Sequence, residues 1–597
     1  MKTETGSQGT LANMAEPSRQ SVDPAKAVML TDLLFTQAER LGDKPFLHGR
    51  GGDGKKAWDT ITWAEAADQV LRLAAGLAGL GIRPGDRVGI VSENRPQWLI
   101  ADHAVMAAGA ISVPAYTTNT EDDHHHVLAD SGASAVIVST AALARKLMPG
   151  AARADRCRHI ITMEPVAVDQ NLGFELHLWD DLLAREPARP HAGARGDTAC
   201  IIYTSGTGGV PKGVMLSHGA ILANCQGIQH VFRDSVLKDE VFLSCLPLSH
   251  SYEHTAGQFF PISIGAEIYY AAGTDTLAGD MSQARPTIMT AVPRLYEVFK
   301  SRVTLGLKQA SPARRSLFQR TLEIGRKRLD APGTLTLWER LFDVFLERLV
   351  RHKVRARFGG RLKFMVSGGA ALNPDIGMFF LSLGINILQG YGLTETAPVI
   401  SCNPPDKIKI ATVGPPCAGV ECRIAGDGEI LVRGELVMTG YWNRPEATLE
   451  AVRDGWLHTG DIGEFDADGY LRITDRKKDI IVNSGGDNIS PQRVEGFLTL
   501  EPEISQAMVF GDKRAHLVAV IVPEAAAEGE EKAARELVAA AMERVNAALA
   551  PIERVRRFIL ADQPFTVENG QMTPTLKVRR HILMGVYGER LEALYRS

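Results

Sequence analysis

The sequence predicts an α/β protein built on mostly parallel sheets. Short apolar segments typical of buried strands alternate with amphipathic helices over the first few hundred residues, as in β–α–β units. The 597 residues are 45% hydrophobic and 23% charged, which is ordinary for a globular protein with a large core. No apolar stretch is long enough to span a bilayer. These observations exclude collagen-like, low-complexity and fully disordered chains.

The first elements alternate between helix and strand. Thr62 and Glu65 form a capping box, and the helix that follows has an apolar face and ends at Gly81. The next expected elements are a strand at Arg87–Ser92, a helix from about Pro96 to Ala108, and strands at Ala135–Val138 and His159–Thr162. Strands separated by helices favour parallel pairing.

Residues 300–361 interrupt this alternation and predict long helices. Seven apolar residues recur at steps of three and four, on one helix face: Trp338, Leu341, Phe342, Phe345, Leu346, Leu349 and Val350. The segment carries 16 Lys and Arg against 5 Asp and Glu. Two interpretations stay open: a helix pair packed on the main domain with a solvated basic face, or a surface that docks on anionic lipid.

The pattern changes again near the C-terminus. Residues 454–473 alternate apolar and polar residues, which predicts β-structure. Strands at Ala507–Phe510 and His516–Val522 and a helix at about Glu530–Ala548 indicate a small α+β domain. We therefore divide the chain into a flexible tail (1–24), a large domain (25–475) that contains the 300–361 insertion, and a small domain (476–597).

Charge and cysteine usage limit the environment and the partners. The formal net charge of −4 gives no global attraction to nucleic acid, so no nucleic-acid partner is expected. The seven cysteines include no Cys-x-x-Cys pair, which favours reduced thiols. The N-terminus lacks the apolar segment of a signal peptide. We expect a cytoplasmic protein, attached at most peripherally to a membrane.

A Gly/Ser/Thr-rich segment predicts a phosphate-binding loop. The apolar strand Ile201–Tyr203 leads into Thr204, Ser205, Gly206, Thr207 and Gly208, and Lys212 follows. Glycines let backbone N–H groups approach an anion, the hydroxyls donate further hydrogen bonds, and the lysine adds charge. The common nucleoside-triphosphatase loop has its lysine before Ser/Thr at a helix start, which is not the case here. A second strand and a helix capped by Ser217 follow instead.

This segment resembles the AMP-binding signature of the adenylate-forming superfamily. Four further motifs follow in the order typical of that family: Gln389–Thr396, Trp456–Asp461, Asp475–Asp479 and Thr573–Arg580. The resemblance covers about Asp32 to Arg580. It implies a large N-terminal domain of several subdomains with parallel sheets and a β-barrel-like part, and a small, mobile α+β C-terminal domain. Gly208 departs from the family pattern, which has a hydroxyl residue there, so we expect only a backbone contact from it.

The resemblance also implies a reaction. A carboxylic acid is activated by ATP to acyl-AMP with release of pyrophosphate, and coenzyme A then accepts the acyl group. Mg²⁺ is implied at Thr204 and Glu395, and Thr394 is implied to donate to the α-phosphate. The remaining implied ATP/AMP contacts are Ser205, Gly206, Thr207, Gly208, Lys212, Gly368, Gly369, Ala370, Gly390, Tyr391, Gly392, Asp461 and Arg476.

Further residues are implied for the two half-reactions. Lys577 matches the catalytic lysine, whose ammonium stabilises charge between the attacking carboxylate and the phosphate. Lys478 matches the hinge about which the small domain rotates. Ser484, Gly485 and Gly486 are implied to line the coenzyme A tunnel, and His250 to orient the substrate carboxylate.

The substrate is inferred from the branch that the chain resembles. Residues 114–120, the helical insertion and the Thr573–Lys577 motif resemble long-chain fatty acyl-CoA synthetases, so a fatty acid is expected. Residues proposed for the acyl tunnel, or equally for the core, are Ile262, Ile264, Phe379, Phe380 and Leu381. The alternatives are an acyl-AMP ligase that loads a carrier protein, a CoA ligase for another hydrophobic acid, and a non-catalytic nucleotide-sensing or scaffold protein.

Overall fold

The structure is a computed structural model that describes most of the chain. The described residues are 21–50, 57–167, 173–204, 210–233, 235, 237–273, 275–308, 310–485, 487–524, 531–573 and 578–596.

The large domain is built from the following strands and helices. Its strands are β1 Pro45–Arg50, β2 Trp58–Thr62, β3 Arg87–Val91, β4 Ile111–Ala115, β5 Ala135–Val138, β6 His159–Thr162, β7 Glu175–Leu178, β8 Thr198–Thr204, β9 Lys212–Ser217, β10 Val241–Ser244, β11 Glu267–Tyr270, β12 Ile288–Ala291, β13 Phe364–Ser367, β14 Ile387–Gly392, β15 Val399–Cys402, β16 Glu421–Ile424, β17 Glu429–Arg433, β18 Gly440–Tyr441, β19 Val452–Arg453, β20 Trp456–Phe465 and β21 Leu471–Arg476. Its helices are α1 Leu30–Leu41, α2 Trp63–Gly79, α3 Pro96–Ala107, α4 Glu121–Ser131, α5 Ala141–Ala152, α6 Trp179–Leu183, α7 His218–Val231, α8 Ser251–His254, α9 Phe260–Ser263, α10 Leu277–Ala284, α11 Pro293–Lys308, α12 Pro312–Asp330, α13 Leu337–Leu346, α14 His352–Arg357, α15 Pro374–Ser382 and α16 Pro445–Ala451.

One eight-stranded sheet carries the predicted phosphate loop. Its order is β18-β9-β8-β4-β3-β5-β6-β7, with parallel pairing from β8 to β7. β4 and β5 are buried along their whole length, as expected of parallel strands covered on both faces. The strands predicted at Ala135–Val138 and His159–Thr162 are confirmed at those bounds. β8 and β9 pair antiparallel, so the predicted strand–loop–strand arrangement is also confirmed.

A second eight-stranded sheet has the order β15-β14-β13-β12-β10-β11-β1-β2. Its inner strands are parallel, and the two outermost pairs are antiparallel. A large apolar core contacts strands of both sheets and the buried faces of α1, α2, α3 and α7. In α2 that face is the predicted one, with Ala66, Val70, Leu73 and Leu77 buried behind the Thr62 capping box. The two sheets therefore form one body that fixes the loops between their strands.

The third sheet corrects one expectation. β16, β17, β20, β19 and β21 form a five-stranded antiparallel sheet. Its edge strands do not pair with each other, so the described residues contain no closed barrel, and the expected β-barrel-like part is wrong. The outer strand β16 is only partly buried, and an open sheet covered on one face suits that pattern.

The insertion is helical, as predicted, but the apolar face of α13 points to solvent instead of toward the protein. α12 buries Phe318 and Ile324 toward α15. In α13 and the π-helical turn Glu347–Arg351 that follows it, five of the seven predicted face residues are exposed, and only Leu346 and Val350 are buried. The interpretation that this apolar face packs on the main domain is therefore wrong for α13.

The cause of the reversal is that Glu339 and Asp343 of α13, and Glu347 of the turn that follows, form ion pairs with the neighbouring helices. Glu339 pairs with Lys327 at 2.8 Å, Asp343 pairs with Arg328 at 3.1 Å, and Glu347 pairs with Arg355. Asp343 also contacts the fully buried Arg351 at 2.7 Å. These ion pairs hold the charged face of α13 against α12 and α14, so its apolar face is left toward solvent.

The C-terminal part is a small α+β unit. Its elements are β22 Ile481–Val482, β23 Asn488–Ile489, α17 Pro491–Leu498, β24 Ile504–Phe510, β25 Leu517–Pro523, α18 Glu531–Ala548, β26 Val555–Leu560 and α19 Arg580–Ala593. β24, β25 and β26 form one sheet, and its two faces contact separate apolar clusters. The strands and the helix predicted here are confirmed to within a few residues, while the boundaries at 24 and 475 stay predictions.

Whether the helices of the described residues could cross a membrane depends on their length and apolar character. None of them combines the length and the apolar character that a membrane span needs.

Candidate active site

A cleft of about 1950 Å³ lies between the large domain and the first elements of the small domain. It is lined by the ends of strands from all three sheets, by α8 and by α17. The predicted site residues that line it are Thr204, Lys212, His250, Gly368, Gly369, Ala370, Gly390, Tyr391, Gly392, Thr394, Glu395, Asp461, Arg476 and Lys478. Motifs far apart in sequence therefore meet in one place.

Two glycine segments bring backbone to the wall of the cleft. Gly369 has φ +81°, a conformation that side-chain-bearing residues rarely adopt. A Cβ on Gly392 would lie 1.7 Å from the carbonyl oxygen of Pro398, so only glycine fits at the end of β14. These positions let a flat ligand approach main-chain atoms.

Asp461 is held in place by two neighbours. The Tyr391 hydroxyl donates to Asp461 Oδ2 at 2.7 Å, and Arg476 Nε lies 3.4 Å from Asp461 Oδ1. Asp461 and Arg476 are register partners on β20 and β21. Burial raises the pKa of Tyr391 well above its usual value, so it stays a hydrogen-bond donor. A fixed carboxylate of this kind can accept hydrogen bonds from vicinal hydroxyl groups.

Glu395 and Lys212 are connected through a residue that sequence reasoning missed. The Tyr441 hydroxyl donates to Glu395 Oε1 at 2.7 Å, and Lys212 Nζ lies 4.1 Å from the Tyr441 ring centroid. Tyr441 comes from β18, which pairs with β9, the strand that begins at Lys212. No motif in the sequence indicated this contact, because it depends on the pairing of two distant strands.

A second missed residue supports Thr394. Its Oγ1 lies 3.1 Å from Ser251 Oγ, at the start of α8. Thr394 and Glu395 therefore present a hydroxyl and a carboxylate on the same short turn. Together with Thr204 they supply the hard oxygen donors that Mg²⁺ prefers, so the residues present fit the ion implied by the sequence.

The predicted phosphate loop is described at its two ends. Thr204 ends β8 and Lys212 begins β9, and the two are register partners. The hairpin therefore brings both residues to the cleft. Ser205, Gly206, Thr207 and Gly208 lie outside the described residues, as do Gly486 and Lys577.

His250 lines the cleft at the start of α8. Its Nδ1 accepts from the Tyr252 backbone N–H at 3.1 Å, which caps α8 and fixes the ring. The Tyr252 hydroxyl donates to the Val366 carbonyl at 2.9 Å. The imidazole lines the same cleft as Glu395 and Phe260.

The apolar chamber is made by residues other than those predicted. Its lining includes Ile228, Val231, Phe232, Phe242, Ala256, Phe260 and Ile288. Phe232 and Phe260 stack with ring centroids 5.8 Å apart. Ile262, Ile264, Phe379, Phe380 and Leu381 do not line it. Residues that line the chamber and residues of the core are both apolar, so the sequence could not distinguish them.

Two of the predicted coenzyme A residues, Ser484 and Gly485, do not line this cleft. Ser484 and Gly485 are exposed, and Gly485 N–H donates to the Asn483 side chain at 2.9 Å. Lys478 lines the cleft and is exposed, at the end of the turn that follows β21. It stands between the large domain and the small one.

The oxygen donors and cations of this site suit a nucleotide, and the adjoining apolar chamber suits the tail of a carboxylic acid. These features define a nucleotide-dependent carboxylate-activating protein. Comparison with known proteins identifies the family. The AMP-binding enzyme family matches residues 34–442, and the AMP-binding enzyme C-terminal domain matches residues 478–597. The chain belongs to the AMP-binding enzyme family.

Curated relatives are similar over nearly their whole length. The long-chain-fatty-acid–CoA ligase FadD15 of Mycobacterium bovis is 34% identical, with 90% of this chain and 92% of the relative covered. The peroxisomal long chain acyl-CoA synthetase 7 of Arabidopsis thaliana is 30% identical, with 100% of this chain and 90% of the relative covered.

Solved structures show the same fold. The adenylation domain of a carboxylate reductase from Mycobacterium chelonae superposes with a TM-score of 0.78 at 24% identity, covering 96% of this chain and 92% of that one. The adenylation domain of a carboxylic acid reductase from Segniliparus rugosus, in complex with AMP and a co-purified carboxylic acid, gives 0.76 at 22% identity, covering 96% and 94%.

Proposed function

We propose that this protein is an ATP- and Mg²⁺-dependent long-chain fatty acid–CoA ligase. It converts a fatty acid to acyl-AMP with release of pyrophosphate, and then transfers the acyl group to coenzyme A with release of AMP. The observation that carries the proposal is the continuity of one cleft from Glu395 and Asp461, through His250, to the chamber around Phe232 and Phe260. The relatives' names support the same substrate class.

In the first half-reaction, positioning and charge compensation do most of the work. A carboxylate must approach the α-phosphorus of ATP, which is surrounded by negative oxygens. Lys212 supplies positive charge beside the phosphates, and Thr394 donates a hydrogen bond to them. Glu395 and Thr204 would hold Mg²⁺, which would supply further compensation of the phosphate charge. His250 orients the substrate carboxylate at the entrance of the chamber.

The nucleoside end is held by a different set of residues. Asp461 accepts from the ribose hydroxyls, and Arg476 helps to hold that carboxylate in position. Tyr391 and Gly368–Ala370 contact the adenine. Because Asp461 is already fixed by Tyr391 at 2.7 Å, little order is lost when the ribose binds.

The second half-reaction needs a rearrangement of the small domain. We assign Lys577 to adenylation and Lys478 to the hinge, on the basis of the sequence motifs around them. Ser484, Gly485 and Gly486 then meet the pantetheine arm after rotation, which is consistent with the position of the first two outside the cleft in the described arrangement. The Lys577→Ala protein should lose adenylation far more than thioester formation from supplied acyl-AMP. Equal loss in both would contradict the assignment.

The apolar chamber favours an alkyl chain over a polar acid. Phenylalanine and aliphatic side chains line it, and each methylene that enters contributes about 0.8 kcal/mol. The rate constant kcat/KM should therefore rise with acyl length until the chamber is filled. A screen of saturated acids from four to eighteen carbons tests this, and a preference for acetate or benzoate would contradict it.

Peripheral contact with an anionic membrane is the second part of the proposal. The α13 face, defined here as Leu337, Trp338, Leu341, Val344 and Phe345, is exposed to solvent; Trp338 is 81% and Leu341 58% exposed. Contiguous apolar surface of this kind marks an interaction site.

Charge indicates that lipid is the partner. Glu339 and Asp343, the acidic residues of α13, are turned inward by their ion pairs, so they do not oppose an anionic surface. Arg314, Arg315, Arg348 and Lys353 are exposed and have no acidic partner among the described residues. An exposed apolar face on a segment rich in exposed cations is the pattern of a helix that lies in a membrane interface. A surface location would also bring the enzyme to a substrate that partitions into lipid.

Vesicle flotation tests this contact. The protein should float with vesicles of phosphatidylglycerol and phosphatidylcholine at 50 mM NaCl and much less with phosphatidylcholine alone, because cations near the surface contribute about 1 kcal/mol each. Absence of flotation with the anionic vesicles at low salt would refute the proposal.

A further inference from the structure

Three side chains with metal-binding atoms lie together far along the sheet from the cleft. His159 is on β6, and Glu175 and His177 are on the neighbouring edge strand β7. In the parallel register His159 is opposite Glu175, and Ile161 is opposite His177. None of the three lines the cleft, and neither half-reaction uses them.

The donor atoms of these side chains face one another. His159 Nδ1 lies 3.1 Å from His177 Nε2. Glu175 Oε2 lies 3.6 Å from each of these two nitrogens. A hydrogen bond between the rings explains the first distance, but it does not explain why one carboxylate oxygen is equidistant from both.

A single cation explains all three distances. A triangle with these sides has a centre about 2.0 Å from each corner, and zinc bonds to His nitrogen and to Glu oxygen are about 2.0–2.2 Å long. Two imidazoles and one carboxylate also form a donor set used for zinc, with water in the fourth position. No rearrangement of the strands is needed to reach bonding distance.

Burial supports the same assignment. The two His side chains are 16% and 20% exposed, so their rings are constrained by packing. The Glu175 side chain is 73% exposed, which leaves one side of the cluster open to solvent. The histidines are thus preorganised while an ion and its water ligand can enter.

We propose that His159, Glu175 and His177 form a binding site for Zn²⁺ or a similar first-row divalent cation, separate from the Mg²⁺ site of the cleft. The ion links β6 to β7. Since β7 is the short edge strand of an eight-stranded sheet, this link secures an edge that is otherwise held by one neighbour. The role is therefore structural.

Metal titration of the untagged full-length protein tests the proposal. Calorimetry with Zn²⁺ should show a high-affinity site at one per chain, and Co²⁺ should give visible absorption bands of a low-symmetry complex. His159→Asn and His177→Asn should each weaken this site by more than the roughly 10–100-fold that loss of an outer-shell partner costs. His352→Asn, at an exposed histidine on α14, is the matched control and should bind as the parent does.

Two further readouts make the result decisive. Zn²⁺ should raise the melting temperature of the parent and of His352→Asn but not of the two site variants. Ligase activity in saturating Mg²⁺ should be the same in all four proteins, because the cluster is outside the cleft. Zinc affinity and melting temperature that are unchanged by His159→Asn and His177→Asn would overturn the proposal, as would a parent protein that binds no zinc.

Discussion

The cleft and the α13 face are two surfaces that the chain prepares in opposite ways. In the cleft, polar groups are held by one another: Tyr391 by Asp461, and Tyr441 by Glu395. On α13, most apolar side chains are exposed to solvent, and the two acidic residues of the helix form ion pairs with α12. The difference shows that the first surface is preorganised for a charged ligand, whereas the second is left to be covered from outside. Their functions should therefore be separable by mutation.

The largest expected effect is in the cleft. Glu395→Gln keeps an acceptor for the Tyr441 hydroxyl but removes the charge, so adenylation should fall about 100–1000-fold, as for loss of one preorganised electrostatic contact. Pyrophosphate exchange with palmitate measures this. Vesicle flotation should be unchanged. Glu450→Gln, a second glutamate that lines the cleft, is the control and should retain activity.

The next effect belongs to the α13 face. Replacing Trp338, Leu341 and Phe345 by Ser removes apolar area that is worth several kcal/mol in lipid, so vesicle affinity should fall at least about 100-fold. Activity on detergent-dispersed palmitate should stay unchanged, because none of the three lines the cleft. Leu449→Ser, at an exposed leucine of α16, is the control. Loss of thermal stability in the triple variant would show that the face packs on protein instead.

A smaller effect is expected at the ribose contact. Asp461→Asn keeps the shape but weakens a charged hydrogen bond, which costs about 1.5–3 kcal/mol. The KM for ATP should rise at least about tenfold, with less change in kcat. Asp427→Asn, at an exposed aspartate near the same opening, is the control. A fall in kcat at constant KM would place Asp461 in the chemical step.

Sequence alone predicted the helices and strands of the two domains well, because period and capping are local. A comparison of α2 with α13 shows the limit of such local prediction. Both have an apolar face of the same period, yet Leu73 is buried and Trp338 is 81% exposed. Which face is covered depends on ion pairs from other helices, which no local pattern contains.

The residues of the site also divide into those that the sequence predicted and those that it missed. Glu395, Asp461 and Lys212 were predicted, since each belongs to a motif with family-specific neighbours, and the structure brings them to one cleft. Tyr441 and Ser251 were missed because they reach the site through strand pairing and helix placement. The lining of the apolar chamber was also missed, because Phe232 and Phe380 look alike in sequence and only the fold separates cavity from core.

The smallest effect concerns a carboxyl group buried next to the chamber. Burial raises the pKa of Glu253 to about 7, while the Thr290 hydroxyl donates to it at 2.5 Å. The folded-state pKa is above the unfolded value of 4.5, so the protein loses stability as pH rises from 4.5 to 7. The stability of Glu253→Gln relative to the parent should therefore rise by about 1 kcal/mol between pH 6 and pH 8. Thermal unfolding of both proteins measures this, and a pH-independent difference would contradict it.

The most direct test of the central claim is product analysis with purified protein, palmitate, ATP, Mg²⁺ and coenzyme A. One cleft that carries out both half-reactions should yield palmitoyl-CoA, AMP and pyrophosphate in equal amounts. Accumulation of palmitoyl-AMP without thioester would contradict the account and favour an acyl-AMP ligase that loads a carrier protein.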